Sequence, residues 1–231
     1  MARSRNAQNN FKDAVWYEKS RTAYMVVLGA GGIGSNTVFN LARTLPASVH
    51  VVDFDLVEEH NVGTQFFHLN DLGLRKVSAL KQRLDNHWAM PGTIYSYETK
   101  ITEESVSTFY APIIIAAFDN MEARKIAFDH WKSQDNRELF IDGRLRANQY
   151  EVFSVVKGSE EKYEETLFSD EDIPTEPCTF KQTAHVGMMI GTRITALIVN
   201  YLSNKYSDTP IYSVPFHFKE LLELCHVEIK E

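Results

Sequence analysis

Six consecutive residues, Gly29-Ala30-Gly31-Gly32-Ile33-Gly34, constrain this chain more than any others. They follow the apolar run Ala-Tyr-Met-Val-Val-Leu at 23–28 and precede residues 35–43, where Val38, Phe39, Leu41 and Ala42 recur at helical spacing. Such a run is too short for a helix and suits a strand buried on both faces of a parallel sheet. Strand, glycine turn and helix in that order make an anion-binding unit. Glycines let the backbone turn tightly and approach a phosphate closely, and the N–H groups of the helix's first turn bind it. A bare glycine pattern carries little weight, so its placement here is what counts.

The rest of the first half repeats the alternation. Residues 49–52 read as a second buried strand ending in Asp53-Phe54-Asp55, 93–97 as a third, the wholly apolar 112–117 as a fourth and 139–141 as a fifth. An amphipathic helix is expected over 76–86, with Val77, Leu80 and Leu84 on one face and Lys81, Arg83 and Asp85 off it, and another over 121–131. Residues 58–71 read as a long polar and aromatic loop. Beyond residue 148 the pattern changes: 149–156 reads as an antiparallel strand, 158–176 as an acidic crossover loop, 186–202 as a long apolar helix, and one strand is expected around 212–218. This predicts an α/β fold, a Rossmann-like mostly parallel sheet with helices on both faces and antiparallel strands added in the C-terminal half. An N-terminal arm, residues 1–21, anchored by Phe11, Val15, Trp16 and Tyr17, would precede a single domain, 22–231. That domain divides into a nucleotide-binding half, 22–147, and a second half, 148–231.

Composition narrows the function. With 24 basic and 31 acidic residues the net charge is −7, which argues against a nucleic-acid binder needing a basic stripe to neutralise phosphates. The two cysteines, Cys178 and Cys225, are far apart, giving neither a disulfide framework nor a Cys-x-x-Cys pair for zinc. Apolar runs such as 112–118 and 186–190 fall short of the roughly 20 residues of a membrane span, and the N-terminus is polar. The expectation is a soluble, cytoplasmic protein with no membrane or nucleic-acid partner. Asp53, closing the second strand, stands where an acidic residue would bind ribose hydroxyls. To this point a dehydrogenase and an ATP-using enzyme fit equally well.

The next residues separate them. Asp53 and Asp55, Asn61 with Gln65, Gly73 with Lys76, and Asp119-Asn120 follow the glycine loop in order, with Arg124 behind them. This series resembles the ThiF/MoeB family of adenylating enzymes, which activate ubiquitin-like proteins and sulfur carriers, over about residues 22–205. The family's pattern is Gly-x-Gly-Gly-x-Gly, Asp-x-Asp, Asn-x-x-Arg-Gln, Gly-x-x-Lys and Asp-Asn. The resemblance implies ATP and Mg²⁺ as ligands, a small ubiquitin-like or sulfur-carrier protein or peptide with a free C-terminal carboxylate as partner, and a homodimer. It also implies nucleotide contacts at Gly29, Gly31, Gly32, Gly34, Asp53, Asp55, Asn61, Gln65, Lys76, Asp119 and Asn120. Asp53 would hold the ribose, Lys76 the phosphates and Asp119 the metal. The physical demand is clear: a carboxylate attacking a phosphate brings two anions together, and a lysine just inside a helix can neutralise the developing charge. Carboxylate oxygen suits Mg²⁺, which keeps substrate phosphates and waters besides. Asn61 and Gln65 can supply neutral hydrogen bonds. The plainer readings are a solvated Lys76 and Asp119 as a helix cap.

The sequence departs from the pattern at Thr64, where the family carries an arginine. Arg3, Arg5, Arg21, Arg144 and Arg146 are the basic residues that could take its place. Cys178, in Pro177-Cys178-Thr179-Phe180-Lys181, stands where several family members place a cysteine that accepts the activated acyl group. A thiol near Lys181 and a helix N-terminus would have a lowered pKa; the alternative is a small residue filling a gap. Cys225 is expected to be structural, His185 a capping or core residue, Met188 and Met189 core, and the acidic run 160–165 a solvated loop that could steer a basic partner. The family's frequent zinc site is absent from the sequence, and no structural zinc is expected. The reading is an ATP-dependent adenylyltransferase with Lys76, Asp119 and Cys178 as its chemical residues. The alternative is a degenerate module that binds nucleotide or a ubiquitin-like protein without chemistry, and an NAD-dependent enzyme is the remaining rival.

Overall fold

The computed structural model describes residues 14–87, 93–146, 148–169 and 184–231. A short helix α1 (Val15–Lys19) and a 3₁₀ turn (Ser20–Thr22) lead into β1 (Tyr24–Leu28). Then come α2 (Gly32–Thr44), β2 (Ser48–Val52), α3 (Glu59–Val62), α4 (Lys76–His87), β3 (Ile94–Tyr97), α5 (Glu103–Val106), β4 (Ile113–Ala116) and α6 (Met121–Ser133). The second half contributes β5 (Leu139–Arg146), β6 (Gln149–Val156), α7 (Glu160–Glu164), α8 (Ala184–Lys205), β7 (His217–Leu221) and β8 (His226–Lys230). One sheet holds all eight strands, in the order β3-β2-β1-β4-β5-β6-β7-β8. The pairings from β3 to β5 are parallel and those from β5 to β8 antiparallel. This is the Rossmann-like α/β fold that the alternation predicts.

Strand alternation splits the core into two layers. Met25, Val27, Val49, Val51, Ile113 and Ile115 point to one face and meet Val38 and Leu41 of α2, Val77, Leu80 and Leu84 of α4, and Ile190, Ile194 and Ile198 of α8. Val26, Leu28, Ile114 and Phe140 point to the other, under Phe128 and Trp131 of α6 and Tyr163 of α7. Both faces are buried, which is why these strands are apolar throughout. The helices α2 and α8 cross at backbone contact: a Cβ on Gly191 would stand 2.8 Å from the Cβ of Asn36. By length and composition α8 could cross a membrane; here Val186, Ile190, Ile194, Ile198 and Leu202 are buried in the protein.

Several expectations are corrected. The loop at 58–71 contains α3 and a 3₁₀ turn (Leu69–Asp71), because Glu58 and Asn61 close a reciprocal cap. The acidic run is a short helix rather than a solvated loop: Tyr163 is buried, and Glu160 packs inside against Arg137 at 3.1 Å. The tail forms a two-strand hairpin, β7–β8, displaced from the single strand expected around 212–218. Its turn is at Cys225, exposed and at φ 47°, so that cysteine fills no core. Met188 and Met189 face outward, and His185 lies exposed in the first turn of α8, so the core role of all three is overturned while a capping role for His185 is not, because α8 buries only one side. In the arm Tyr17 is buried and Val15 exposed. Arg3, Arg5, Phe11, Cys178 and Lys181 lie outside the described residues.

Candidate active site

At the carboxyl edge of the sheet the chain leaves β1 toward β2 on one side and returns to β4 on the other. In open α/β sheets this switch point opens a crevice for ligands, and a cavity of about 1720 Å³ occupies it. It brings together Gly29, Gly31, Gly32, Asp53, Asp55, Gln65, Lys76, Asp119 and Asn120. Gly34 and Asn61 do not line it.

The glycine loop is built for close approach. Gly29 has φ +97°, and a Cβ there would stand 2.7 Å from the Ala117 carbonyl oxygen of the β4 end. A Cβ on Gly34 would fall 1.8 Å from the Gly29 carbonyl oxygen, so Gly34 supports the loop from below. Gly31 caps α2 without any side chain bonding the first-turn N–H groups, and the space beside it is open. Those amides are left to an anion.

Asp53 holds the loop in place. One of its oxygens accepts the Ala30 N–H and the other the Asp55 N–H, both at 2.7 Å. Each oxygen keeps a second lone pair for a ligand hydroxyl. Asp55 bonds Lys76 twice: its carbonyl takes the Lys76 N–H at 2.9 Å and its carboxylate the Nζ at 2.8 Å. The bridge Leu56–Arg75 and the Gly73 turn at φ +79° clamp the two segments together. The Lys76 side chain is only 8% exposed, so the solvated reading of Lys76 does not hold.

Across the crevice, Asn120 caps α6 by accepting the Ala123 N–H at 2.8 Å and donates to Asp119 at 3.2 Å. The cap reading of Asp119 therefore passes to its neighbour, and the Asp119 carboxylate stays exposed at the cavity. Asn61 is buried and accepts the Glu58 N–H at 2.8 Å, so it works as the cap of α3. Gln65 instead has a buried Oε1 with no hydrogen-bond partner at the cavity wall. Thr64 spends its hydroxyl on the His60 carbonyl at 3.2 Å and is not part of the wall.

Of the candidates for the missing arginine, Arg21 pairs with Glu18 outside the cavity, while Arg144 and Arg146 line it. Sequence reasoning missed Asp142, Lys100 and Phe54. The Lys100 ammonium stands 5.7 Å from the Phe54 ring centroid, and both border the cavity next to Asp53. Asp142 is fully buried and receives Arg124, Arg144 Nε at 2.7 Å and the Tyr163 hydroxyl at 2.9 Å. Burial first, and then Asp142, push the Tyr163 hydroxyl well above its usual pKa, keeping it neutral. Two guanidiniums thus share one carboxylate, leaving positive charge in the wall. The signal available in the sequence was an Asp directly after the apolar run 139–141; its burial was not visible there.

These residues fit a nucleoside triphosphate with a divalent cation. Gly29 and Gly34 admit no Cβ, the Gln65 acceptor lacks a partner, and Lys76, Lys100 and Arg144 border the cavity. Among the described residues no three His, Cys, Asp or Glu side chains cluster as a metal site, so the cation would rest on Asp119 with phosphates and waters, as Mg²⁺ accepts.

The family model described as the ThiF family matches residues 3–224. Ubiquitin-like modifier-activating enzyme 5 of Xenopus laevis is 40% identical over 70 residues, 30% of this chain and 18% of that protein. The aligned stretch is thus under a fifth of that relative's length. A crystal structure of E. coli MccB with MccA superposes with a TM-score of 0.76 at 17% identity, covering 99% of this chain and 72% of that one. One of E. coli MccB with ATP gives 0.74 at 17% identity, covering 99% and 71%. At such identity the likeness is one of fold.

Proposed function

The chain belongs to the ThiF family, and from that premise we propose that it binds ATP with Mg²⁺ and activates a C-terminal carboxylate as its acyl-adenylate. The carboxylate belongs to a small ubiquitin-like or sulfur-carrier protein or a peptide. One observation carries the proposal: the glycine loop, the Asp55–Lys76 pair and Asp119 line one cavity at the switch point of the sheet. MccB, one of the neighbours in fold, has been crystallised with ATP and with MccA, which supports a nucleotide site that works beside a second partner.

When bound, ATP·Mg²⁺ supplies an α-phosphorus electrophile and pyrophosphate as leaving group. The chain's own residues do the rest. Asp53 accepts the ribose hydroxyls with its remaining lone pairs, and Gln65 Oε1 accepts a further one. Amides of the first turn of α2 hold phosphate oxygens, and the Lys76 ammonium neutralises charge that grows on them. Asp55 orients that lysine, and Asp119 takes the cation while Asn120 fixes its carboxylate. The Cys178 thiol then takes the acyl group as a thioester, giving up its proton to solvent as the acyl–phosphate bond breaks and AMP leaves. The working unit is a homodimer, for which the outward Met188 and Met189 of α8 offer apolar surface; light scattering should then give twice the chain mass of 26.5 kDa, and a mass of 26.5 kDa would contradict it.

The second reading, a non-catalytic module that holds nucleotide or a ubiquitin-like tail, is favoured by Thr64, whose hydroxyl is turned to the His60 carbonyl of α3. ATP–pyrophosphate exchange separates the two. With a cognate carrier the enzyme returns label from pyrophosphate to ATP. ATP binding with neither AMP nor pyrophosphate formed makes the chain a module.

A further inference from the structure

Asp142 directly follows the apolar strand segment 139–141, is fully buried, and plays no part in the chemistry above. Arg124 bonds Asp142, donates to the Gly143 carbonyl at 2.8 Å, and bonds the Phe118 carbonyl. Arg144, on the other carboxylate oxygen, donates to the Thr166 carbonyl and hydroxyl, each at 2.9 Å, and stacks on Phe153 at 4.4 Å. One carboxylate therefore governs three backbone carbonyls on three segments around the cavity. Phe118 immediately precedes Asp119, and Thr166 leads toward the segment that holds Cys178.

Fold stability alone does not call for such a cluster. Taking two guanidiniums and a carboxylate out of water costs more than packing apolar side chains of similar volume. What apolar residues lack is direction: a guanidinium fork fixes both the distance and the angle of the carbonyls it holds. We propose that Asp142 is a positioning residue: acting through Arg124, it sets where Asp119 presents its carboxylate to the cation, and through Arg144 it ties the Thr166 segment to the same frame. The inference rests on the ATP·Mg²⁺ reading of the cavity.

The experiment is calorimetric titration of the full chain with ATP, with and without Mg²⁺, taking the ratio of the two dissociation constants as the cation's contribution. Arg124→Lys keeps the charge but cannot hold Asp142 and the Phe118 carbonyl together. It should shrink that ratio about tenfold or more, the usual effect of losing a partner that orients a metal-bound carboxylate, and the ratio divides out any change in Mg²⁺-free ATP affinity. Arg144→Lys, a less buried site, frees one side of Asp142 and should shrink it as well, and the double variant should go no further than Arg124→Lys, since Arg144 reaches Asp119 only by way of Asp142 and Arg124. Leu202→Ala, a core substitution far along α8, lowers the melting temperature yet keeps the ratio. Arg124→Lys with the wild-type ratio overturns the inference, as do additive single effects. If Arg124→Lys does not fold, Arg144→Lys decides alone, in the same sense. A wild type that binds no ATP overturns the nucleotide reading and this inference together.

Discussion

Lys76 and Gly29 make opposite demands on the same cavity, one for a charge and the other for the lack of a side chain. Gly29 sits at φ +97° with no room for a Cβ against the Ala117 carbonyl. Gly29→Ala should therefore cost about 1–3 kcal/mol of stability from backbone strain alone, read as a fall in the urea midpoint at unchanged slope, and it should abolish nucleotide binding. Lys76 is different. Its partner Asp55 is 45% exposed, so breaking the pair costs the fold little, and the loss should appear in ligand affinity. The two sites also differ in legibility. Both were readable from sequence because their residue types are scarce and their spacing is fixed. The cap role of Asn61 and the burial of Asp142 depend on long-range partners and were not.

At the scale of elements, the glycine loop depends on α2, and α2 depends on its crossing with α8. Gly191→Ala would bring a Cβ to 2.9 Å from the backbone of Asn36 and Thr37, forcing the helices apart at about 1–3 kcal/mol. Thermal unfolding should record the loss, and because α2 carries the phosphate-facing amides, ATP affinity should fall with it. Helix α7 makes a pH-dependent contribution. Burial alone would raise the Glu160 carboxyl, but the N–H groups of Glu160 and Gly158 and the Arg137 guanidinium outweigh it and hold it below 4.5. A depressed folded-state pKa stabilises above the unfolded value, and that stability drains away as pH falls through the folded value. Glu160→Gln should therefore be less stable than the parent at pH 7, with the gap closing below about pH 4.5 when stability is followed by urea titration. The acidic run shows no apolar stripe because its helix is held by one buried tyrosine and two ion pairs, Glu160 with Arg137 and Glu164 with Lys132, so periodicity could not find it.

For the whole molecule, the parallel half was legible because strands buried on both faces are continuous apolar runs, and the alternation with helices leaves few topologies. The antiparallel half was harder. The fifth strand is expected to end at Ile141, yet β5 runs on to Arg146, since two arginines neutralise the buried Asp142 carboxylate and β6 pairs with the whole length. The hairpin β7–β8 is exposed on every residue of β8, so it leaves no alternation of burial for a sequence to encode. The central claim is that this sheet edge serves a triphosphate and a cation rather than a dinucleotide. Calorimetric titration of the wild type and of Lys76→Met with ATP·Mg²⁺ and with NAD⁺ tests it most directly. The account predicts one ATP·Mg²⁺ site per chain, weakened at least tenfold in Lys76→Met, and no heat from NAD⁺. NAD⁺ binding at the same site, or ATP·Mg²⁺ affinity untouched by the loss of Lys76, would contradict it.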